Sequence, residues 1–302
     1  MSPITIGITA RERYSYAART IASIYENTRV PFKLLIADAG TPKRYRKQIE
    51  RSIRGRRNAE ILSRDEVLLN NAARNWIIES VDSDAVVLIE NDNLVSRGWV
   101  TELLRTSDEF SADVVTPLIY EGKRWPGRIH FDIRNGFISQ VVDDAGKSAI
   151  RVTRDISRIK MHPRSAAKII HGFESHCLLI RREFLARTDV FDPQMTMRRE
   201  IAESIAVFLA GGVAAIAPRA QILFVPPPPI ETAEREFFRA TWDLDRARHS
   251  HDRIIERWNV LDLPDSFRFL GRRVKRETYL SYFADEFRHR ASEWLARRRK
   301  AA

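Results

Sequence analysis

A single cysteine, Cys177, stands in 302 residues, so no internal disulfide can form and stability must come from a packed core. Long apolar runs are also missing. The longest mostly apolar segment, Ile205 to Ala217, is broken by Gly211 and Gly212 and is too short to span a bilayer. The opening MSPITIGITA has no basic region followed by an apolar stretch, so it does not read as a secretory signal. These absences lead us to expect a soluble chain in a reducing, cytoplasmic compartment. After Gly7 the opening loop TARER contains no glycine, which argues against a nucleotidyltransferase with a glycine-rich phosphate loop. There is no internal repeat, and the only low-complexity stretch is the proline run from Pro226 to Pro229.

Acids are outnumbered, 40 Asp and Glu against 51 Lys and Arg, giving a formal net charge of +11. Such a balance attracts phosphates, nucleic acid or an anionic membrane surface. The basic residues gather in Lys43 to Arg57 and in Arg272 to Lys300. Either segment also reads as a solvated helix face. A length of 302 residues with 44% hydrophobic content is enough for one sizeable domain with an appendage.

The periodicity alternates strand and helix. Ile4–Thr9 reads as a strand, Tyr14–Tyr25 as a helix, and Lys33–Asp38 as a second strand. A helix follows, with Thr41 as its cap and Pro42 at its first position. Ala59–Leu62 reads as a third strand, and Asp65–Ser80 as a helix capped by Asp65. The pattern predicts an α/β fold with a mostly parallel sheet and helices on both faces. Right-handed crossovers then bring Ala10, Asp38 and Asp92 to one rim. Residues 120–168 lack a clear period and read as an insertion with antiparallel hairpins. A strand is expected at Cys177–Ile180 and a helix at Met195–Gly212 with Glu200 and Glu203 in its first turn. Two strands separated by a turn follow, in VAAIAP and ILFVPPPP. The prolines divide a domain of residues 1–226 from a helical, basic appendage of residues 230–302, with helices at Glu231–Trp258 and Glu277–Arg299. The last, rich in Arg and aromatics, suits either the inner face of a membrane or packing against the main domain or a second subunit.

The stretch AVVLIENDNLV, Ala85 to Val95, organises the rest. Five apolar residues run directly into Glu90, Asn91, Asp92 and Asn93. A buried strand ending this way places its polar residues where open α/β sheets bind ligands. Glu90 and Asp92 flank one residue, so a turn aims both at one hard cation such as Mn²⁺ or Mg²⁺. The plain alternative is a strand followed by a polar turn.

In order, these pieces resemble family 2 glycosyltransferases of the GT-A fold. The likeness is carried by ITIGITARERYSYAARTIASIYENT, KLLIADAGTP, LNNAARNWIIES, LIENDNLVSRGWVTELL, ESHCLLIRREFL and RREIAESIAVFLAGG, over roughly residues 4–225. The family usually has Asp where Glu90 stands, and Glu-Asp where Glu200-Ile201 stands.

The resemblance implies an inverting, metal-dependent transfer of a sugar from a nucleoside diphosphate sugar to a glycan or lipid-linked acceptor hydroxyl. It implies Asp92 as direct metal ligand and Glu90 as a water-mediated one. A late histidine is also implied, with His249 and His251 as candidates and His251 taken as the ligand. Thr9, Ala10, Arg11, Asp38, Arg74, Asn75 and Asn91 are expected to line the nucleotide sugar. Glu200 is expected to act as general base. His176 reads as facing the acceptor or as a structural histidine. A nucleotide-sugar binder without turnover remains the nearest alternative. A nucleic-acid binder is disfavoured by the acidic rim.

Overall fold

The computed structural model describes residues 4–125, 127–130, 137–153, 162–226, 230–263 and 271. The expected helix at 277–299 lies outside them. Strand β1 (Ile4–Thr9), helix α1 (Ala17–Asn27), β2 (Phe32–Ala39), α2 (Lys43–Ser52), β3 (Ala59–Arg64), α3 (Asn70–Glu79) and β4 (Ala85–Glu90) alternate as the periodicity predicts. β5 (Asn93–Val95), α4 (Trp99–Glu109), β6 (Val114–Glu121) and the short β7 (Arg128–Ile129) follow. The hairpin β8 (Phe137–Val142) and β9 (Ser148–Thr153) fills the expected insertion and is antiparallel. β10 (Lys168–Ile170), β11 (Cys177–Arg181), α5 (Arg182–Leu185), α6 (Arg199–Leu209) and β12 (Ala214–Phe224) complete the main body. Beyond the prolines come a 3₁₀ turn at Thr232–Glu234, α7 (Arg235–Thr241), α8 (Leu244–Trp258) and β13 (Val260–Leu261).

The main sheet runs β10-β12-β6-β11-β4-β1-β2-β3. β1, β2, β3 and β4 are parallel. β11 is antiparallel to both β4 and β6. Side chains alternate between the faces, as a period of two requires. Ile6, Ile8, Leu34, Ile36, Val87 and Ile89 join one core with Ile21 and Ile24 of α1 and Trp99 and Leu103 of α4. Leu35, Ala37, Val86 and Leu88 join the other with Ala73 and Ile77 of α3. Gly7 lets α3 approach closely, since a Cβ there would lie 2.4 Å from Ile77 Cγ2.

Four local expectations need correction. Pro42 is the cap of α2 and Lys43 its first residue. α3 starts at Asn70 behind an extended Leu69, not at Asp65. β3 runs on to Arg64, whose carbonyl accepts from Gly40 N–H at 3.1 Å, and the chain bends at Asp65 and Glu66 before α3. β12 is one strand rather than two, because a register shift between Ala217 and Gln221 absorbs Pro218 as a bulge. In α6 only Glu200 lies in the first turn, and Glu203 falls one turn later.

Residues after the prolines pack back on the body. Glu234 Oε1 accepts from the backbone N–H groups of Tyr14 at 2.5 Å and Ser15 at 2.6 Å, just before α1. A carboxylate there complements the positive end of the helix. α8 adds Ile254 to a third core with Ile138, Ile150, Met195 and Ile205. No described helix is long and apolar enough to cross a membrane.

Candidate active site

The carboxyl ends of β1, β2 and β4 form one rim. Thr9 pairs with Glu90, and Ile8 with Ile36, which sets Ala10 level with Asp38. Beyond Glu90 the polar turn knits itself to the β1 loop. Asn91 N–H donates to Thr9 O at 2.9 Å. Asn91 Oδ1 accepts from Arg11 N–H at 3.3 Å, and its Nδ2 donates to Arg13 O at 2.7 Å. Asn93 Nδ2 donates to Glu90 O at 3.0 Å and to Asp92 Oδ1 at 3.2 Å. Asn91 thus shapes the turn with both ends of its amide. Asp38 is buried, accepting from Ser63 Oγ at 3.1 Å and facing Arg46 Nη2 at 2.6 Å.

The antiparallel pairing of β11 with β4 carries His176 to Glu90. Glu90 N–H donates to His176 O at 3.0 Å, and His176 Nδ1 lies 2.5 Å from Glu90 Oε2. The ring stacks on Phe224 at 4.6 Å, and its Nε2 meets His130 Nε2 at 3.1 Å. Glu90, Asp92 and His176 each offer a ligand atom within 4.8 Å of the others, and all three are buried. His176, then, is the histidine the rim provides. His251 lies on α8 with Nδ1 at 3.4 Å from Arg198 Nη1, outside this group. His249 lines a separate cavity with Asp243 and Arg246. No local pattern signals the His176–Glu90 contact, because pairing a residue before β11 with the end of β4 joins positions 86 apart.

Three arginines surround Glu90. Arg199 donates to Oε1, Arg11 Nε lies 3.2 Å from Oε2, and Arg74 Nη2 lies 3.6 Å from Oε1. Arg74 is buried in α3, donating to Glu203 at 3.0 Å and to Ser175 O. It pairs with a carboxylate in the core and is not an open phosphate contact. Asn75, one residue on, donates to Phe191 O at 2.8 Å and lines a cavity with Asp189 and Arg253, apart from the acidic group.

Burial alone would raise the Glu90 carboxyl, but Arg199, His176 and Arg11 outweigh it and hold Glu90 well below the usual range. Burial pushes Asp92 up to about 7, against the opposing pull of Arg11 and Arg13. Burial, then the charge of Arg11, lowers His176 to about 3, leaving a neutral imidazole able to bind a metal. Asp92 Oδ2 is buried without a hydrogen bond, and Arg11 Nη1 is 3.9 Å away. A buried, unsatisfied carboxylate oxygen beside a second carboxylate and a neutral imidazole fits a divalent cation.

Glu200 lies half-buried in the first turn of α6, after Arg198 in a left-handed conformation with φ of 56°. Glu174 stands near it. Burial, then the charge of Glu200, raises the Glu174 carboxyl to about 7. Its Oε1 is 3.9 Å from His176 Nε2. Sequence reading did not single out Glu174, although it begins the ESH triplet before β11.

The sheet order and acidic rim define a GT-A type α/β fold. The model of Glycosyl transferase family 2 matches residues 5–188, so the chain belongs to that family. No curated protein sequence matches the chain. Among solved structures, GalNAc-T7 with UDP, GalNAc and Mn²⁺ is similar with a TM-score of 0.54 and 13% identity, covering 92% of this chain. The chain spans 55% of that protein's length. Residues 1–349 of TarS from S. aureus, in complex with UDP-GlcNAc, align with a TM-score of 0.54 and 13% identity, over 93% of this chain and 73% of that one. The shared feature is the fold.

Proposed function

We propose that the chain transfers a sugar from a nucleoside diphosphate sugar to an acceptor hydroxyl, with inversion at the anomeric carbon. The observation that carries this is the buried Glu90, Asp92 and His176 group at the end of β4, level with the β1 loop and Asp38, in a chain of this family. Asp38 would accept a hydrogen bond from the nucleoside base. Thr9, Ala10 and Arg11 form the opposite wall. Asp92, Glu90 and His176 would hold a divalent cation, Mn²⁺ or Mg²⁺. That ion, when bound, neutralises the diphosphate as it departs. One similar structure holds UDP and the other UDP-GlcNAc, which makes UDP-sugars the first donors to try.

Glu200 takes the acceptor proton as its oxygen attacks the anomeric carbon, a general-base role. The bond from that carbon to the phosphate oxygen breaks, and its electron pair leaves on the diphosphate. Because a phosphate leaves as a stable anion, no general acid is required. Glu174, which burial and Glu200 keep protonated to about pH 7, is suited to donate a hydrogen bond to the acceptor. The net charge of +11 favours an anionic acceptor, a glycan or a lipid-linked one.

The test is a thermal-shift panel of nucleoside diphosphates with and without Mn²⁺, followed by turnover of Glu200→Gln. We expect a metal-dependent shift for one base, retained by the variant, with sugar transfer lost. Full transfer by Glu200→Gln would remove Glu200 as base. Absence of any nucleotide shift would remove the donor class.

A further inference from the structure

Of the three arginines around Glu90, Arg11 also reaches Asp92. Its Nε is 3.2 Å from Glu90 Oε2, and its Nη1 is 3.2 Å from Glu12 Oε1 and 3.9 Å from Asp92 Oδ2. Glu90 and Asp92 are two of the three residues that converge as a metal-binding group. We infer that Arg11 is a tethered competitor of the divalent ion. Its guanidinium neutralises the carboxylates when no ion is bound and must draw back for one to bind. The inference rests on the reading of Glu90, Asp92 and His176 as an ion site.

Charge requires the exchange. The guanidinium and a divalent ion between the same two carboxylates would face each other at close range in a buried site, where like charges are poorly screened. Glu90 already receives Arg199, with Arg74 at 3.6 Å, so it does not depend on Arg11 alone. Asp92 Oδ2 has no hydrogen bond, and Arg11 Nη1 lies 3.9 Å from it.

The surroundings provide for a withdrawn position. The Arg11 backbone is fixed on both sides. Its N–H donates to Asn91 Oδ1 at 3.3 Å, and its carbonyl accepts from Thr241 Oγ1 at 3.2 Å. Motion is therefore confined to the side chain. Glu12 offers a continuing partner, itself positioned by Trp242 Nε1 at 2.6 Å from Oε2. The guanidinium lies 4.4 Å from the centre of the Phe224 ring and 6.0 Å from that of Trp242, so it stays against an aromatic face as it leaves Glu90. Thr241 and Trp242 follow the proline run, so the C-terminal segment helps set this arginine.

The experiment measures Mn²⁺ binding to the full chain by electron paramagnetic resonance of the free ion. Wild type, Arg11→Gln, Arg11→Lys, Asp92→Asn and the surface control Arg105→Gln are compared. Arg11→Gln is expected to bind Mn²⁺ at least tenfold more tightly than wild type. Arg11→Lys should gain less, and Arg105→Gln should match wild type. Asp92→Asn should abolish binding. If Arg11→Gln binds no more tightly than wild type while Asp92→Asn abolishes binding, the ion site stands and the competitor role is overturned. Equal tightening in Arg105→Gln would overturn it too, by reducing the effect to net charge. If Asp92→Asn leaves wild-type binding intact, the ion site itself fails, and this inference with it. Thermal unfolding covers the case in which Arg11→Gln folds poorly without metal. Mn²⁺ should then raise the melting temperature of Arg11→Gln by more than that of wild type, and an equal or smaller rise overturns the inference.

Discussion

Replacing Arg74 by Met separates the two roles this residue can be given. As a phosphate contact it would matter to donor binding and little to folding. The structure instead buries it against Glu203 at 3.0 Å, with 1% and 0% of the two side chains exposed. Removing one member of a buried pair typically costs about 3–5 kcal/mol. Here protonation caps the loss. Glu203, already raised above its ordinary 4.5 by burial, can take a proton when its partner goes. Neutralising a carboxyl of ordinary pKa at pH 7 costs about 3.4 kcal/mol, at 1.36 kcal/mol per unit. The Ser175 carbonyl also loses a donor, worth about 1 kcal/mol. A loss of about 4 kcal/mol at pH 7 is therefore expected, shrinking by roughly 2.5 kcal/mol at pH 5, where the proton is cheap to acquire. With an m-value of about 3 kcal/mol/M, the urea midpoint should fall by about 1 M at pH 7. The double variant Arg74→Met, Glu203→Met should recover most of this, since an apolar pair of similar volume replaces the ions. Wild-type stability in Arg74→Met, together with lost nucleoside diphosphate binding, would refute the reasoning and return Arg74 to the phosphates.

Three further outcomes follow from the structure, one of packing and two of pH. Gly7→Ala places a Cβ 2.4 Å from Ile77 Cγ2 and 3.2 Å from Leu88 Cδ2, so denaturant titration should show a loss of about 1–3 kcal/mol from overpacking. Asp92, raised to about 7, sits above its ordinary 3.8, so the folded state holds a proton that the unfolded chain releases. Its contribution to stability is therefore lost as pH rises from about 4 to 7, and metal-free wild type should fall relative to Asp92→Asn across that window. Because the ion competes with that proton, Mn²⁺ affinity should weaken up to about tenfold per pH unit below about 7. A calorimetric series from pH 5.5 to 8 checks both, and a flat metal affinity would contradict the second.

Much of the frame was legible from residue order because it depends on local pattern. A β-branched run with a glycine marked β1, apolar runs of four and five residues ending in a carboxylate marked β2 and β4, and their alternation with amphipathic segments implied parallel pairing. That alone set Asp38 and Asp92 on one rim. Helix starts were read less well, since Asp65 has the chemistry of a cap but the chain bends at Asp65 and Glu66 and the helix starts only after an extended Leu69. Pro218 suggested a turn, whereas a bulge carries β12 through it.

The site's composition depended on contacts that no local pattern encodes. His176 reaches Glu90 because β11 runs antiparallel to β4, a choice made by the whole sheet. Arg74 resembles a surface arginine in sequence, yet the helix face that carries Ala73 and Ile77 into the core also buries it near Glu203. Arg11 meets Glu90 and Asp92 because the β1 loop folds over the β4 turn, held by Asn91 within the turn and by Thr241 from 230 residues away. The sequence alone determined the alternation of elements, the acidic turn after β4 and the surplus of cations, because period, polarity and charge are properties of neighbours along the chain. Only the tertiary structure decided which histidine and which arginines attend that turn, because burial and pairing energies are set by groups that meet in space.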